Sequence, residues 1–416
     1  MKNFTLFKRQ MMFVVFMLLG CVSIHAADDG LIMEQITIKL DKAGTLPDKI
    51  EDKYEITNLK ITGEINGTDL RLIRDMAGCD YTGKSTSGKL SVLDLSEAKI
   101  VSGGDSYFYY DECNTIDDQI DDFAFFNCCR LTSLSLPSGI IWIGIGAFNG
   151  CSSLTSLTLP SGINWIGSGT FQGCSSLTSL TLPSGITSIG TDVFNGCSSL
   201  TSLTLPPGIT RIDNRTFSGC SSLTSLTLPS GITSIGSGAF GGCSSLTSLT
   251  LPSGITSIDD YTFYGCVGLT SLTLPSSVTS IGSKAFAYCY SLTSLTLPSD
   301  VSLIGESAFF ACSSLTSIYS YAEIAPYAKG AFDGLYAKKC TIYVPKGTSD
   351  GYRLSDFGYF ENIVEIETTG IDKVATSSDV KELSRYSVNG QRLSAPAKGL
   401  NIVKYSDGSV KKVAVQ

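Results

Sequence analysis

One spacing dominates the sequence, because phenylalanine recurs with a fixed 23-residue period. The series runs through Phe125, Phe148, Phe171, Phe194, Phe217, Phe240, Phe263, Phe286, Phe309 and Phe332. Cysteine keeps the same period from Cys128 to Cys312, and Leu-Thr-Ser-Leu-Thr-Leu-Pro recurs between the cysteines. Self-similarity at a fixed period is the signature of one supersecondary unit stacked on copies of itself. The chain is therefore predicted to fold as a repeat solenoid, whose function lies in the surfaces that the stack presents.

Residues 151–173 illustrate how one coil is built. Hydroxyl and leucine side chains alternate over residues 156–159, which is the pattern of a strand with one buried face. Pro160 ends this strand, and a second short strand is predicted at 163–166. The fold class is therefore a mainly β solenoid of short parallel strands. Stacking should place the following side chains in continuous buried columns: Leu154, Leu157, Leu159, Ile163, Ile166 and Phe171.

The repeat resembles the BspA-type leucine-rich repeats of bacterial surface proteins. The resemblance is carried by Leu-x-x-Leu-x-Leu-Pro, then Ile near Ile-Gly, then Ala-Phe-x-x-Cys, over residues 128–311 and in a degraded copy from Cys312. It implies an exported protein with a role in adhesion or protein recognition and no shared catalytic residues. Some coils depart from the pattern. Val193, Thr170, Thr216 and Thr262 replace the Ala before Phe, and Asp213 and Asp259 replace the Gly after Ile.

A signal peptide is predicted at residues 1–26. Basic residues precede an apolar run at Met11 to Leu19 that is too short to span a bilayer as a helix. Cleavage after Ala26 is favoured, and lipidation at Cys21 remains an open alternative that would anchor the chain. No other apolar stretch is long enough to cross a membrane, so we expect an exported protein at the cell surface or outside the cell.

The flanks of the solenoid are predicted to cap it. Residues 27–122 form a divergent leucine-rich cap with a helix at 67–76, ahead of the solenoid at 123–334. A terminal coil (335–366) and a linker (367–384) follow. The last segment, 385–416, carries two hairpin signals, Asn389-Gly390 and Asp407-Gly408. It resembles the small β tails of exported proteins from the same bacterial group, which implies a sorting role. A purely structural plug is equally compatible with it.

Composition argues against several function classes. Cleavage after Ala26 would remove His25, the only histidine, and histidine is the side chain that enzymes use most often for proton transfer. No enzymatic activity is therefore expected. Cleavage would also change the formal net charge from −8 to −11, which disfavours nucleic acid as a partner. No cofactor is expected either.

The cysteines of the 23-residue series are predicted to be small buried apolar side chains. Thiols in a row do not converge on one point as zinc ligands must, and side chains in parallel register disfavour the torsion of a disulfide.

An acidic run before the first repeat could gather calcium, although a solvated loop is favoured. That run comprises Asp111, Glu112, Asp117, Asp118, Asp121 and Asp122.

Two outward columns are the candidate binding residues. Charged side chains are rare between positions 128 and 311, and hydroxyl side chains line the predicted strands. The hydroxyl candidates are Ser156, Thr158, Ser179, Thr181, Ser202, Thr204, Ser225 and Thr227. Trp142 and Trp165 stand one repeat apart, and strand alternation should turn both indoles outward beside each other. Burial of the pair beneath the N-terminal cap is the alternative for the tryptophans.

These features predict a surface module that binds an extracellular protein or a glycan, with a component of the host matrix as one candidate. A structural or self-associating array remains open, and so does an ice-binding hydroxyl lattice. The oligomeric state is not predicted.

Overall fold

The structure, a computed structural model, describes residues 31–109, 113–367, 382–387, 392–393, 399–405 and 410–415. The predicted signal peptide, with both Ala26 and Cys21, lies outside the described residues, as does most of the predicted linker. Two compact units are present, one ending at Glu365 and the other beginning at Ile366. Among the described residues, none of the helices has the length and apolar character that a membrane crossing requires.

The larger unit is a solenoid of short parallel strands, as predicted. Its described strands are β1 (Ile36–Leu40), β2 (Asn58–Ile65), β3 (Val92–Ile100), β4 (Gly103–Phe108), β5 (Cys113–Thr115), β6 (Gln119–Ile120), β7 (Ser133–Ser135), β8 (Trp142–Ile143), β9 (Ser156–Thr158), β10 (Trp165–Ile166), β11 (Ser179–Thr181), β12 (Ser188–Ile189), β13 (Ser202–Thr204), β14 (Arg211–Ile212), β15 (Ser225–Thr227), β16 (Ser234–Ile235), β17 (Ser257–Ile258), β18 (Ser280–Ile281), β19 (Ser294–Leu297), β20 (Leu303–Ile304), β21 (Ser317–Ser320), β22 (Thr341–Pro345) and β23 (Asn362–Ile366).

Each regular coil contributes one strand to each of two ladders. The first ladder begins β1-β2-β3-β7-β9-β11, and the second begins β6-β8-β10-β12. Strands pair in register, so that Leu157 lies beside Leu180 and Ile166 beside Ile189. The second strand is shorter than the prediction of 163–166, because the amide of Ile163 donates to Pro160 O in a turn.

The core consists of the apolar columns predicted from one repeat. Consecutive phenylalanine rings from Phe125 to Phe332 stack with centroids 5.3 to 5.7 Å apart. The described cysteines are free, and those of the 23-residue series are buried. Each thiol from Cys151 to Cys312 also donates to the carbonyl of the phenylalanine in the preceding coil, as Cys174 does to Phe148 O at 3.2 Å. They are therefore hydrogen-bond donors as well as small apolar side chains.

A buried arginine closes the N-terminal end of this core. Within the solenoid, carbonyl groups on the phenylalanine side accept from the preceding coil, as Ala147 O does from the Phe125 amide at 2.7 Å. Ala124 O holds the equivalent place in the first coil, where no preceding repeat supplies an amide. Arg74 takes over this role, since its Nη1 donates to Ala124 O at 3.1 Å and to Phe123 O at 2.6 Å. The cap thus satisfies a carbonyl group that would otherwise be buried without a partner.

The helix that carries Arg74 is α1 (Gly67–Met76), which matches the predicted bounds. Asn66 begins it with a capping box, in which its side chain accepts from Thr68 N while Asp69 accepts from the Asn66 amide. Asp69 also accepts from the amides of Gly44 and Leu46, so one buried carboxylate joins the helix to the segment that follows β1.

The other end of the larger unit continues through β19-β21-β22-β23, with a short helix α2 (Ser349–Arg353) between the last two strands. The second unit contains β24 (Glu382–Ser387), β25 (Arg392–Leu393), β26 (Gly399–Tyr405) and β27 (Val410–Val415), paired antiparallel in the order β25-β24-β26-β27. Both predicted hairpins are therefore present, although the turn residues Asn389-Gly390 and Asp407-Gly408 lie outside the described residues.

Two coil boundaries interrupt both ladders. The second ladder breaks between β12 and β14 and again between β16 and β17, while the first breaks between β11 and β13 and after β15. Elsewhere the amide after the second-strand isoleucine bonds to the preceding coil, as Gly190 does to Ile166 O at 3.1 Å. At the two breaks that residue is Asp213 or Asp259, and its amide has no such bond in the described structure.

The physical cause is the side chain of these aspartates. A Cβ added at Gly167 would lie 2.6 Å from Gly144 C, and one added at Gly190 would lie 2.7 Å from Ser168 N. Only glycine lets consecutive coils approach fully, so Asp213 and Asp259 hold them apart on this side. The phenylalanine side stays closed, since Phe194 and Phe217 stack at 5.5 Å across the first break.

Replacing Asp213 by glycine should therefore close the first break. We expect new hydrogen bonds from the amides of residue 213 and Thr210 to the preceding coil, and amide exchange there slowed about tenfold, or about 1.4 kcal/mol. The free energy of unfolding of the whole protein should change by about 1 kcal/mol or less, because the backbone entropy cost of glycine offsets the new hydrogen bonds. The control is Asp213→Ala, which keeps the obstructing Cβ. Equal exchange in the two variants would disprove the steric explanation.

Candidate ligand-binding surface

The predicted hydroxyl residues form an exposed strip along the first ladder. The strip comprises the outward serine and threonine of β9, β11, β13 and β15, and all eight side chains are exposed. Within each paired set, Ser lies beside Ser and Thr beside Thr. The structure thus brings these candidates together as a repeated, uncharged surface.

A groove of 450 Å³ interrupts the hydroxyl strip at the first ladder break. It lies between β11 and β13, and its rim includes Ser179, Thr181, Ser202 and Thr204. Leu180 and Leu203 line it as well, so the groove combines an apolar floor with hydroxyl groups. The aspartate at 213 therefore influences the strip, because the break that it causes coincides with the groove.

The two tryptophans stack as predicted. Their ring centroids lie 4.1 Å apart with an interplanar angle of 27°. Trp142 is 36% exposed and Trp165 is half-buried. Because Trp142 pairs with Gln119 and Trp165 with Ser188, the pair lies on the second ladder rather than within the hydroxyl strip. The alternative in which the cap buries the pair is wrong for Trp142.

A second stacked aromatic pair lies further along the same outward column, beyond β15, and was not predicted. Tyr319 pairs with Thr296, and Tyr343 pairs with Tyr319, so both continue the threonine column. Their centroids lie 4.5 Å apart with the rings inclined by 9°. Alignment of Ser-Ile-Tyr-Ser (317–320) and Thr-Ile-Tyr-Val (341–344) with the consensus Ser-Leu-Thr-Leu would have revealed the pair. In both segments isoleucine replaces the inward leucine and tyrosine replaces the outward threonine.

Several charged residues of the solenoid form ion pairs with one another. On β2 and β3 of the first ladder, Lys60 Nζ lies 2.6 Å from Glu97 and 3.5 Å from Asp94. Beside the first ladder break, Arg215 bonds Asp192 through two 2.8 Å contacts, and Arg211 pairs with Asp213. These ion pairs neutralise the charges internally, which leaves the strip itself neutral.

The ionised state of Asp192 is maintained by its partners. Burial opposes ionisation of this carboxyl, but hydrogen bonds from Arg215 and Asn195 hold its pKa below the ordinary value. The pair with Arg215 therefore persists at neutral pH and links the two coils on either side of the first ladder break.

Three members of the acidic run, Asp117, Asp121 and Asp122, accept hydrogen bonds from backbone amides. Asp117 accepts from Ser102 N and Asp122 from Ile145 N, each at 2.6 Å. These bonds tie the entry loop to the first coil. Asp111 and Glu112 lie outside the described residues, and the described part contains no group of side chains suited to hold a metal ion.

Another aromatic cluster, here called the tyrosine patch, was not predicted. It comprises Tyr261, Tyr264, Tyr288, Tyr290 and Phe310, on the segments around the phenylalanine column. Its contacts join side chains that do not stand one repeat apart, as with Tyr264 and Tyr288. Comparison of equivalent positions in successive repeats therefore does not reveal that these aromatic residues form one cluster.

Comparison with known proteins agrees with this architecture. The family model of the BspA type leucine rich repeat region matches residues 118–247 and 210–339, in 6 copies, which covers more than half of the chain. No curated protein matches the chain.

Similar solved structures are also leucine-rich-repeat proteins. A leucine-rich repeat protein from Bacteroides ovatus is 27% identical over 62% of this chain and 67% of its own, with a TM-score of 0.51. A leucine rich repeat protein from T. pallidum is 35% identical over 42% of this chain and 71% of its own, with a TM-score of 0.31. A leucine rich cell surface protein from Faecalibacterium prausnitzii is 21% identical over 67% and 89%, with a TM-score of 0.32. On the strength of the matched repeats, the chain belongs to the BspA-type leucine-rich-repeat family.

Proposed function

We propose that this protein is an exported, cell-surface binding module whose ligand contacts both the hydroxyl strip and the tryptophan pair. The observation that carries the proposal is the strip itself, an exposed and uncharged surface on β9, β11, β13 and β15. The Tyr319–Tyr343 stack lies further along the same outward column. The basic and apolar start of the sequence supports export. Adhesion to a surface or matrix is the role that fits an exported module of this kind.

Chemistry favours an uncharged, extended ligand. Near-identical hydroxyl groups repeat along the paired strands, at the strand spacing of about 4.8 Å. A polymer with regularly repeated polar groups could use several coils at once, as a glycan or an extended protein segment would. The stacked aromatic pairs offer flat apolar faces for sugar rings or side chains. The groove between β11 and β13 adds a recess in which one group of the ligand could be enclosed.

The ladder breaks weigh against the ice-binding alternative. An ice face requires a regular hydroxyl lattice, whereas pairing is lost between β11 and β13 and again after β15. A ligand that contacts separate segments tolerates such breaks.

Removing both indoles tests whether the second ladder contributes to binding. We expect Trp142→Ala with Trp165→Ala to weaken binding by about 2 kcal/mol or more, roughly thirtyfold, because truncated aromatic anchors commonly cost that much. Stability should change little, since Trp142 is partly exposed. A glycan and matrix-protein array identifies a ligand, and titration of that ligand paired with a thermal melt measures both effects.

The matched control is Ser234→Ala with Ser257→Ala, on the second ladder away from the tryptophans. It should bind as the parent does. A parallel variant, Tyr319→Ala with Tyr343→Ala, tests the far end of the same outward column. Normal binding by a folded tryptophan variant would remove the indoles from the site, and normal binding by both aromatic variants would refute the proposed surface.

A further inference from the structure

The tyrosine patch is a continuous aromatic surface apart from the two ladders. Tyr264 contacts Tyr261 at 5.7 Å and Tyr288 at 5.2 Å between ring centroids. Tyr288 in turn contacts Tyr290 at 6.0 Å and Phe310 at 5.4 Å. Tyr261, Tyr264 and Tyr290 are 41%, 37% and 43% exposed, so the surface is open to solvent.

Two of these tyrosines occupy left-handed backbone positions. Tyr261 has φ 59° and Tyr288 has φ 63°. Most other coils place glycine at the Tyr288 position, namely Gly150, Gly173, Gly196, Gly219, Gly242, Gly265 and Gly334. A bulky side chain is disfavoured in this conformation, so folding alone gives no reason for a tyrosine here. Backbone strain of this kind is a recognised mark of functional positions.

The start of the solenoid shows what such aromatic residues do when they serve folding. Phe123 has φ 57° at the position equivalent to Tyr261, and it packs against Phe108 of the cap at 5.5 Å. Phe126 packs on the same ring at 5.3 Å. In the described structure the tyrosine patch has no comparable cover, and its rings contact one another. The patch thus has the composition of a protein interface without a partner, since tyrosine is enriched in interfaces.

Charge indicates the chemistry of the partner. Two acids lie beside the patch, since Asp260 directly precedes Tyr261 and the carbonyl of Glu306 accepts from the Lys284 amide at 3.0 Å. Lys284 already lies over the Tyr261 ring, with Nζ 5.6 Å from the centroid. Tyrosine faces attract cations in this way, and the two neighbouring carboxylates add long-range attraction. A cation-bearing partner would gain both interactions, whereas an acidic partner would meet repulsion.

We propose that the tyrosine patch is a second interaction surface, which binds a lysine- and arginine-rich segment of another protein. This surface is separate from the hydroxyl strip and does not depend on the function proposed for it. Guanidinium groups stack on the exposed rings, and Asp260 and Glu306 contribute attraction at the edge.

Consensus substitutions test the proposal without damage to the fold. Tyr261→Gly with Tyr288→Gly removes two rings and relieves their backbone conformation, so the melting temperature should stay level or rise. Tyr264→Ser with Tyr290→Ser removes two rings at positions of ordinary backbone. The probe is a labelled peptide of alternating arginine and glycine, followed by fluorescence anisotropy. We expect each folded variant to bind it at least about tenfold more weakly.

Three controls separate specific recognition from general attraction to an acidic protein. The Trp142→Ala, Trp165→Ala variant should bind the peptide normally. Asp260→Asn with Glu306→Gln should weaken binding and reduce its salt dependence. A peptide of alternating glutamate and glycine should not bind. Equal arginine-peptide binding by the parent and both folded tyrosine variants would overturn the proposal, and so would equal binding of the glutamate peptide.

Discussion

Raising the pH above 9 is expected to unfold the solenoid steeply. Burial raises the pKa of Cys128 and Cys174 from an ordinary value of 9.0 to about 12, and the pKa values of Cys151 and Cys197 lie well above it. The stability contributed by protonated thiols is fully present below 9.0 and is lost as the pH rises through the folded values. In this pH window, each thiol that becomes exposed on unfolding lowers the free energy of unfolding by about 1.4 kcal/mol per pH unit.

The effect should be large because the thiols act together. If several adjacent coils unfold cooperatively, the slope reaches several kcal/mol per pH unit, which exceeds ordinary surface effects. Urea unfolding between neutral and strongly alkaline pH, with reductant present, measures it. Replacing Cys220 and Cys243 by alanine should reduce the slope by about 2.7 kcal/mol per pH unit, although it also removes two hydrogen bonds to Phe carbonyls. An unchanged slope in that variant would contradict the interpretation that the cysteine thiols of the 23-residue series are buried and protonated in the folded state.

Much of the solenoid could be predicted because repetition multiplies a weak signal. In a single coil, the alternation around Leu157 and Leu159 could belong to many folds. Repeated at a fixed period, the same alternation determines which side chains face inward, and the burial of Phe171 and the stacking of Trp142 on Trp165 follow from it. The helix at 67–76 was predictable for a local reason, since Asn66 and Asp69 form its capping box.

Features that depend on contact between different columns were not predictable. The sequence shows Asp213 and Asp259 in place of glycine, but their consequence depends on how closely the preceding backbone approaches. The tyrosine patch joins Tyr264 to Tyr288, which no single column contains. Arg74 was missed because its value to the fold comes from carbonyl groups of the first coil that lie far away along the chain.

The second large expected effect comes from the middle of the core. Phe217 is fully buried and stacks on Phe194 at 5.5 Å and on Phe240 at 5.6 Å. Phe217→Ala removes both ring contacts and leaves a cavity, so we expect a loss of about 3 to 5 kcal/mol. In a solenoid coupled mainly to nearest neighbours, the loss should appear first in adjacent coils. Hydrogen exchange over residues 197–242 measures it.

The location of Phe217 makes the result specific. The first ladder break already removes strand bonds between the coils of Phe194 and Phe217, so the phenylalanine side carries more of their association. Phe217→Ala should therefore increase exchange across this boundary more than Phe171→Ala does across the fully paired boundary between β9 and β11. Thr204→Ala, an exposed change in the same coil as Phe217, is the control and should leave exchange unaltered. Unchanged protection at 197–242 in Phe217→Ala would mean that the phenylalanine column does not hold these coils together.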